Sequence, residues 1–324
     1  MKARAKNIIT ICTGTALLLF LSLCDLCCGD ISIGEMFQGR MAADIMLGIR
    51  LPRLFTAILA GSSLAIAGAQ MQALFRNPLA DPHIMGVSAG AGTGAAIATI
   101  ALAGSAVSLS GLTIAASAFM GAILASALVI LVSSKVRNGN TLLLFGVMLG
   151  FIFSAVTSMI EYSASEESLR IFYSWSAGSF SGNRYSEIWI FAALLSAGFI
   201  LSLLNGKGLD ISLFGDGWSE VSGAPVRRIR LVSMISCCLV TGAATAFCGP
   251  IGFAGIIAPH IARWAMGTSV HRTILPASAL TGAITAVLAD ILATLPERPV
   301  PAGSTMALIG IPVILYILLD KSKI

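Results

Sequence analysis

Residues 50–94 read RLPRLFTAILAGSSLAIAGAQMQALFRNPLADPHIMGVSAGAGTG, and this stretch decides what kind of chain this is. It opens on two arginines, Arg50 and Arg53. From Leu54 to Phe75 it then runs apolar, long enough to cross a bilayer. Within that run Ala60, Gly61, Ser62, Ser63, Ala65, Ala67, Gly68 and Ala69 are small, which lets neighbouring helices approach closely. The run stops at Arg76-Asn77-Pro78, a turn that Pro82 prolongs, and a second apolar helix opens on Gly86, Gly90, Gly92 and Gly94. Arginines at one end, a tightly packed helix and a rigid proline turn at the other read as part of a transport pathway.

The composition agrees. Of 324 residues, 56% are hydrophobic and 11% charged, against about 25% charged in a soluble globular domain. The chain is expected to be an all-α polytopic membrane protein, residues 1–324 forming one transmembrane domain. A net charge of +5 describes loops at a membrane surface and not a nucleic-acid footprint. The seven cysteines lie in or beside apolar segments, and the C-x-x-C spacing within CDLCC (24–28) reads as small apolar packing. Lys2, Arg4 and Lys6 precede an apolar run longer than a signal-peptide core, which is read as the first span.

Apolar windows predict about ten spans, near 8–28, 54–75, 84–103, 112–132, 141–160, 188–204, 231–247, 251–267, 273–293 and 304–319. The eighth is interrupted by Pro259-His260. With the N-terminus inside, the inner segments hold fourteen of the 20 lysines and arginines and the outer segments six. Both termini are therefore expected on the cytoplasmic side. The inner segment 205–230 is the longest polar stretch on that side. Its middle, Leu209 to Ser222, is expected to form one or two short amphipathic helices ending at Gly223, with Pro225 beyond, as a surface for a soluble partner. The outer segment 161–187 mixes aromatics with acids and is expected at the outer interface.

A faint repeat is present at a constant offset of 177 residues: Arg53-Leu54 maps onto Arg230-Leu231, Pro82-His83-Ile84 onto Pro259-His260-Ile261, and Gly90 onto Gly267. The predicted topology puts the two units in opposite orientations, an inverted repeat of the kind that builds many transporters.

Several chemistries are missing. No G-x-x-x-x-G-K-[ST] occurs, since Gly206-Lys207-Gly208 is followed by Leu209, so this motif gives the chain no phosphate cradle for ATP. Neither HExxH nor GxSxG occurs, and His83, His260 and His271 have no metal-ligand spacing. No acid or base falls at the predicted centre of a span; Asp25 and Asp290 sit near outer ends. An intramembrane enzyme is disfavoured, and a stand-alone secondary carrier or channel, which would need a coupling site or a charged pore ring, is the alternative.

The segments RLPR (50–53), GAQMQALFRNPLADP (68–82), GVSAGAG (86–92), GPIGFAGIIAPHIAR (249–263), LPASALTGA (275–283), LAD (288–290) and ALIGIPVILYILL (307–319) together resemble the FecCD family. Its members are permease subunits of type II ABC importers for ferric siderophores, haem and cobalamin. The resemblance implies ten helices per chain in a cobalamin-permease-like fold, and a pathway formed with a second copy of the chain. It further implies separate ATPase subunits that bind ATP and magnesium on the cytoplasmic face, and a periplasmic or lipid-anchored substrate-binding protein outside. The cellular setting implied is the bacterial inner membrane, with no cofactor in this chain. Arg50 and Arg53 match the family arginines that contact the binding protein, and Arg298 stands in for a third, whose own position is Thr294 here. The resemblance assigns the cytoplasmic gate to Asn77, Pro78 and Leu79 with Asn140 and Thr141. It assigns ATPase coupling to the 205–230 loop, with Leu209, Phe214, Glu220, Val221, Gly223 and Pro225. His260 is expected to serve helix packing. Iron chelates are the expected cargo, ahead of cobalamin.

Overall fold

A computed structural model describes residues 2–27, 44–101, 110–133, 136, 139–296 and 299–319. Among them are thirteen α-helices and no strand. They are α1 (Lys2–Cys27), α2 (Leu51–Phe75), α3 (Val87–Ala96), α4 (Gly111–Ser133), α5 (Gly139–Tyr162), α6 (Glu166–Ser176) and α7 (Tyr185–Leu204). The remainder are α8 (Gly206–Ser212), α9 (Asp216–Val221), α10 (Val226–Cys248), α11 (Ala254–Met266), α12 (His271–Thr294) and α13 (Ala302–Leu319). A π turn, Met46–Arg50, leads into α2, and another, Ile97–Ala101, extends α3. An all-helical answer is what lipid demands, because a helix satisfies its own backbone where no water can.

Each of the ten predicted spans contains a helix among the described residues. Seven helices, counting α2 with its leading π turn, are long and apolar enough to cross a membrane. Two of the remaining three are half-helices: α3 with its extension covers Val87–Ala101, and α11 covers Ala254–Met266. At 1.5 Å per residue they measure about 22 Å and about 20 Å, short of a ~30 Å hydrocarbon core. The outer segment 161–187 also carries a helix the sequence reading did not specify, α6, capped by the Ser165 side chain accepting from Ser168 N–H. Its start is acidic (Glu166, Glu167), which suits the positive end of the helix dipole.

Helix α2 is the centre of the bundle and packs against α12, α10, α11 and α7. Ala57, Ala60, Ala65, Ala67 and Ala69 on it are at most 1% exposed. A methyl added at Gly61 would overlap the Gly282 carbonyl of α12, and one at Gly68 would overlap Gly255 of α11. Apolar side chains gain little by leaving lipid for protein, so helices associate here by close backbone approach and by polar groups bridging between them. Gln70 Nε2 donates to Ser236 Oγ at 3.0 Å, and that hydroxyl donates to Gly198 O at 2.7 Å, joining α2, α10 and α7. Ser62 Oγ reaches Ala279 O at 3.0 Å and Thr281 Oγ1 reaches Ala258 O at 2.9 Å, tying α12 to its neighbours on both sides.

The 177-residue offset has a counterpart in the backbone. Arg76 (φ 51°) and Phe253 (φ 71°) are the only non-glycine residues with positive φ among those described, and they are 177 apart. Each follows the end of its long helix, α2 and α10, where the chain turns back toward a half-helix. The two turns also bond across to each other. His83 Nε2 meets Ile251 O at 2.8 Å, and its repeat mate His260 Nε2 meets Pro78 O at 2.9 Å. Each histidine of one unit thus pairs with a carbonyl in the loop of the other.

The glycine contacts carry a prediction. Replacing Gly68 by valine should destabilise the bundle by about 1–3 kcal/mol or more, through forced separation of α2 and α11. Gly92→Ala, where nothing lies within 4 Å of the new methyl, should be neutral. The thermal midpoint of the detergent-solubilised chain checks both.

Candidate functional site

The residues assigned to the cytoplasmic gate sit where α2 ends. Arg76 terminates the helix in the left-handed region, its N–H bonding back to Ala73 O. Asn77 Oδ1 then accepts from Leu79 N–H at 2.9 Å, an Asx turn that fixes Pro78 and Leu79. The Pro78 carbonyl is held by His260 of α11, while Asp81 accepts from His83 N–H and caps the Pro82–Met85 turn. Helix α5 opens against this end of the bundle, and a methyl at Gly139 would lie 3.8 Å from Phe75 Cδ1. Thr141 is exposed on the first turn of α5, and Asn140 lies on the same turn.

The 205–230 segment forms two short helices, α8 and α9, broken at Gly215 (φ 97°) and closed at Gly223 (φ 78°). Gly223 has open space around it, so its role is the left-handed turn, where a side chain would be strained. The six residues assigned to coupling divide into two groups. Leu209 is fully buried against Ile66, Ala73, Ala262, Met266 and Ile274, and anchors the segment. Phe214, Glu220, Val221, Gly223 and Pro225 are exposed. Trp218, which the motif reading left out, belongs with them: it is 55% exposed, beside Phe214 at 69%, with ring centroids 4.9 Å apart. Its signal in the sequence was a lone tryptophan on a polar loop.

Hydrogen bonds and one ion pair fasten this platform to the bundle. Asp210 Oδ1 accepts from His271 N–H at 2.8 Å and meets His271 Nδ1 at 2.7 Å. Asp216 pairs with Arg230 Nη2 at 2.9 Å, and Arg230 Nη1 also donates to Val136 O at 2.8 Å. The gate turn touches the platform directly, because a methyl at Gly215 would come within 2.8 Å of Arg76 Nη1. A cavity of about 440 Å³ lies between them, lined by Arg76, Pro78, Leu213, His260 and Arg263 among others. The Arg263 guanidinium there is bonded to the Gln72 side chain.

At the opposite end of α2 the two family-matched arginines turn inward. Arg53 Nε lies 2.9 Å from Asp290 of α12 and Nη2 lies 3.6 Å from Asp25 of α1; its side chain is 12% exposed. Arg50 is buried and donates to Leu26 O at 2.6 Å. Both guanidiniums are thus engaged within the chain and join α1, α2 and α12. Arg298 lies outside the described residues. Nearby, α6, the 177–184 loop and the end of α10 line a cavity of about 620 Å³, with Glu167, Arg170, Trp175 and Asn183 on its wall.

This architecture has known counterparts. The family profile of the FecCD transport family matches residues 15–320, and the chain belongs to that family. It is 37% identical over 288 residues to the ABC transporter permease protein YvrB of Bacillus subtilis, covering 87% of this chain and 81% of that one. It is 33% identical over 322 residues to the vitamin B12 import system permease protein BtuC of Citrobacter koseri, covering 98% and 96%. Against the cobalamin import permease BtuC of Halobacterium salinarum it is 37% identical over 284 residues, covering 86% and 74%. Among solved structures, a proposed metal-chelate type ABC transporter in an inward-facing conformation superposes with a TM-score of 0.86 at 27% identity, covering 97% of this chain and 99% of that one. The protein is accordingly a permease of an ABC importer.

The buried charges generate a second prediction. Arg53→Ala strands two buried carboxylates and should cost roughly 3–5 kcal/mol, whereas replacing Asp25, Arg53 and Asp290 together by Leu, Met and Leu should recover most of that loss. Thermal midpoints of the two purified variants, compared with the unmodified chain, test the pair.

Proposed function

We propose that this chain, paired with a second copy, forms the pathway by which a large metal chelate enters a bacterial cell across the inner membrane. Cobalamin is the first candidate: two of the relatives above carry that import in their names, which shifts the expectation away from iron chelates. Ferric siderophores and haem share the scaffold and are the next to test. Hydrolysis of ATP belongs to a separate subunit docked from the cytoplasm, and delivery belongs to a binding protein outside.

The observation that carries this reading is the α8–α9 platform. A loop that served only as a connector would have no reason to bury Leu209 completely while presenting Phe214, Trp218 and Val221 to solvent. Exposed aromatics on a rigid mount are how interfaces concentrate binding energy. Movement of that mount reaches the bundle through Arg76 at Gly215 and through the His260 bond to Pro78, so ATP-driven closure of the partner would act on the Asn77-Pro78-Leu79 turn. Residues 140 and 141, on the opening turn of α5, form the facing part of the gate. Arg50 and Arg53 act as contacts for the binding protein only in a conformation where the Asp25–Arg53–Asp290 cluster opens; in the arrangement described they hold three helices together.

The test is uptake into proteoliposomes containing this chain, its ATPase and its binding protein, with labelled cobalamin, ferric siderophore and haem offered in parallel. The expected result is ATP-dependent uptake of cobalamin. Phe214→Ala with Trp218→Ala should weaken ATPase association about 30-fold or more, the loss of one interface hot spot, while leaving the thermal midpoint unchanged. ATP-independent uptake by the chain alone would overturn the reading in favour of a secondary carrier.

A further inference from the structure

Helix α1 does not close evenly on the bundle. At its outer end Asp25 and the Leu26 carbonyl fasten it to the arginines of α2. Near its middle Gly14 touches α12, where an added methyl would come within 2.9 Å of Leu280. Around this contact the helices part, leaving a slot of about 280 Å³ between α1, from Thr10 to Leu17, and the α11–α12 pair.

Four threonines are the only polar side chains lining this slot, and none has a hydroxyl proton to spare. Thr10 donates to Lys6 O at 3.0 Å, Thr13 to Thr10 O at 3.0 Å, Thr281 to Ala258 O at 2.9 Å and Thr285 to Gly282 O at 2.9 Å. Water entering would find few of the partners it needs, and a polar ligand would lose its hydration for nothing. The rest of the wall is aliphatic, including Ile11, Leu17 and Ala265. Because two of the three helices around the slot, α1 and α12, are long and apolar enough to cross the membrane, the apolar matter within reach is lipid. At its N-terminal mouth stands Lys6, exposed, its Nζ at the Gly267 turn that ends α11 and with no carboxylate partner among the described residues. A cation at the head-group level above an apolar slot matches an anionic phospholipid.

We propose that the slot between α1 and α11–α12 is a lipid site, holding one acyl chain of an anionic phospholipid whose head group sits at Lys6. The occupant completes the contact that the helices leave unmade and holds the N-terminal half of α1 to the bundle. The site rests on the chain's being a membrane permease and is independent of which substrate it carries.

The experiment uses the full-length chain in phosphatidylcholine nanodiscs doped with phosphatidylglycerol carrying a diazirine midway along one acyl chain. After illumination, adducts are mapped by mass spectrometry. The expected adducts concentrate on peptides spanning 10–17, 261–266 and 277–285, above the level at lipid-facing Leu124 and Leu131 of α4. They should fall to that level when Ala265→Phe and Thr281→Leu fill the slot. Lys6→Gln should reduce labelling about fivefold, the factor for one basic side chain near an anionic surface. Should the filled variant fail to accumulate, saturable competition by unlabelled phosphatidylglycerol on the unmodified chain serves instead. The proposal is overturned by labelling no denser than on α4, by labelling that neither filling nor competition reduces, or by an equally strong signal from a phosphatidylcholine probe. Cross-links from the slot to a second copy of the chain would overturn it in favour of a helix as occupant.

Discussion

A helix that stops inside a bilayer frees backbone groups that lipid cannot satisfy, and this structure depends on how those groups are paired. Two half-helices, α3 and α11, begin within the bundle, each reached through a turn of non-helical backbone. The turns are stabilised by one another: His83 reaches the Ile251 carbonyl, and His260 reaches the Pro78 carbonyl. Because the two histidines are repeat mates, a single solution serves both halves of the chain. It also crosses the halves, so neither turn can shift without disturbing the other.

Around that crossing the bundle is held by proximity and not by hydrophobic burial. Alanine and glycine line α2, and the glycines at 61 and 68 are occupied from the other side by carbonyls of α12 and α11. Such packing leaves smooth helix surfaces with few fixed side-chain sites. The buried ionic cluster Asp25–Arg53–Asp290 lies at the end of α2 and joins three helices there.

At the other end of α2 the polar 205–230 segment is fixed against the bundle. Buried Leu209, the Asp216–Arg230 ion pair and the Asp210–His271 hydrogen bonds hold the α8–α9 platform to the bundle, and Arg76 brings the Asn77-Pro78 turn into contact with it at Gly215. The same arginine adopts the left-handed conformation that ends α2. The Asn77-Pro78 turn and the α8–α9 segment therefore meet at one residue, Arg76, a short contact path between this segment and the bundle.

The sequence by itself determined the class of protein. Apolar windows located every spanning helix because lipid imposes length and hydropathy on each segment separately, a local constraint. The turn at Asn77-Pro78, the paired short helices before Gly223 and the offset between the halves were legible for the same reason, since turn chemistry and repetition are written in consecutive residues. The tertiary structure alone decided what the side chains do. Arg53 reads as an outward cation in sequence and is an inward one in space, because its partners Asp25 and Asp290 come from helices at the two ends of the chain. Leu209 and Phe214, similar in any hydropathy profile, differ in space because Leu209 lies on the buried face of α8 while Phe214 lies in the exposed turn beyond its end. The bonds of His83 and His260 run between segments far apart in the chain, where no local pattern records them. What a segment must be follows from its solvent; what a residue does follows from which distant segment is placed against it.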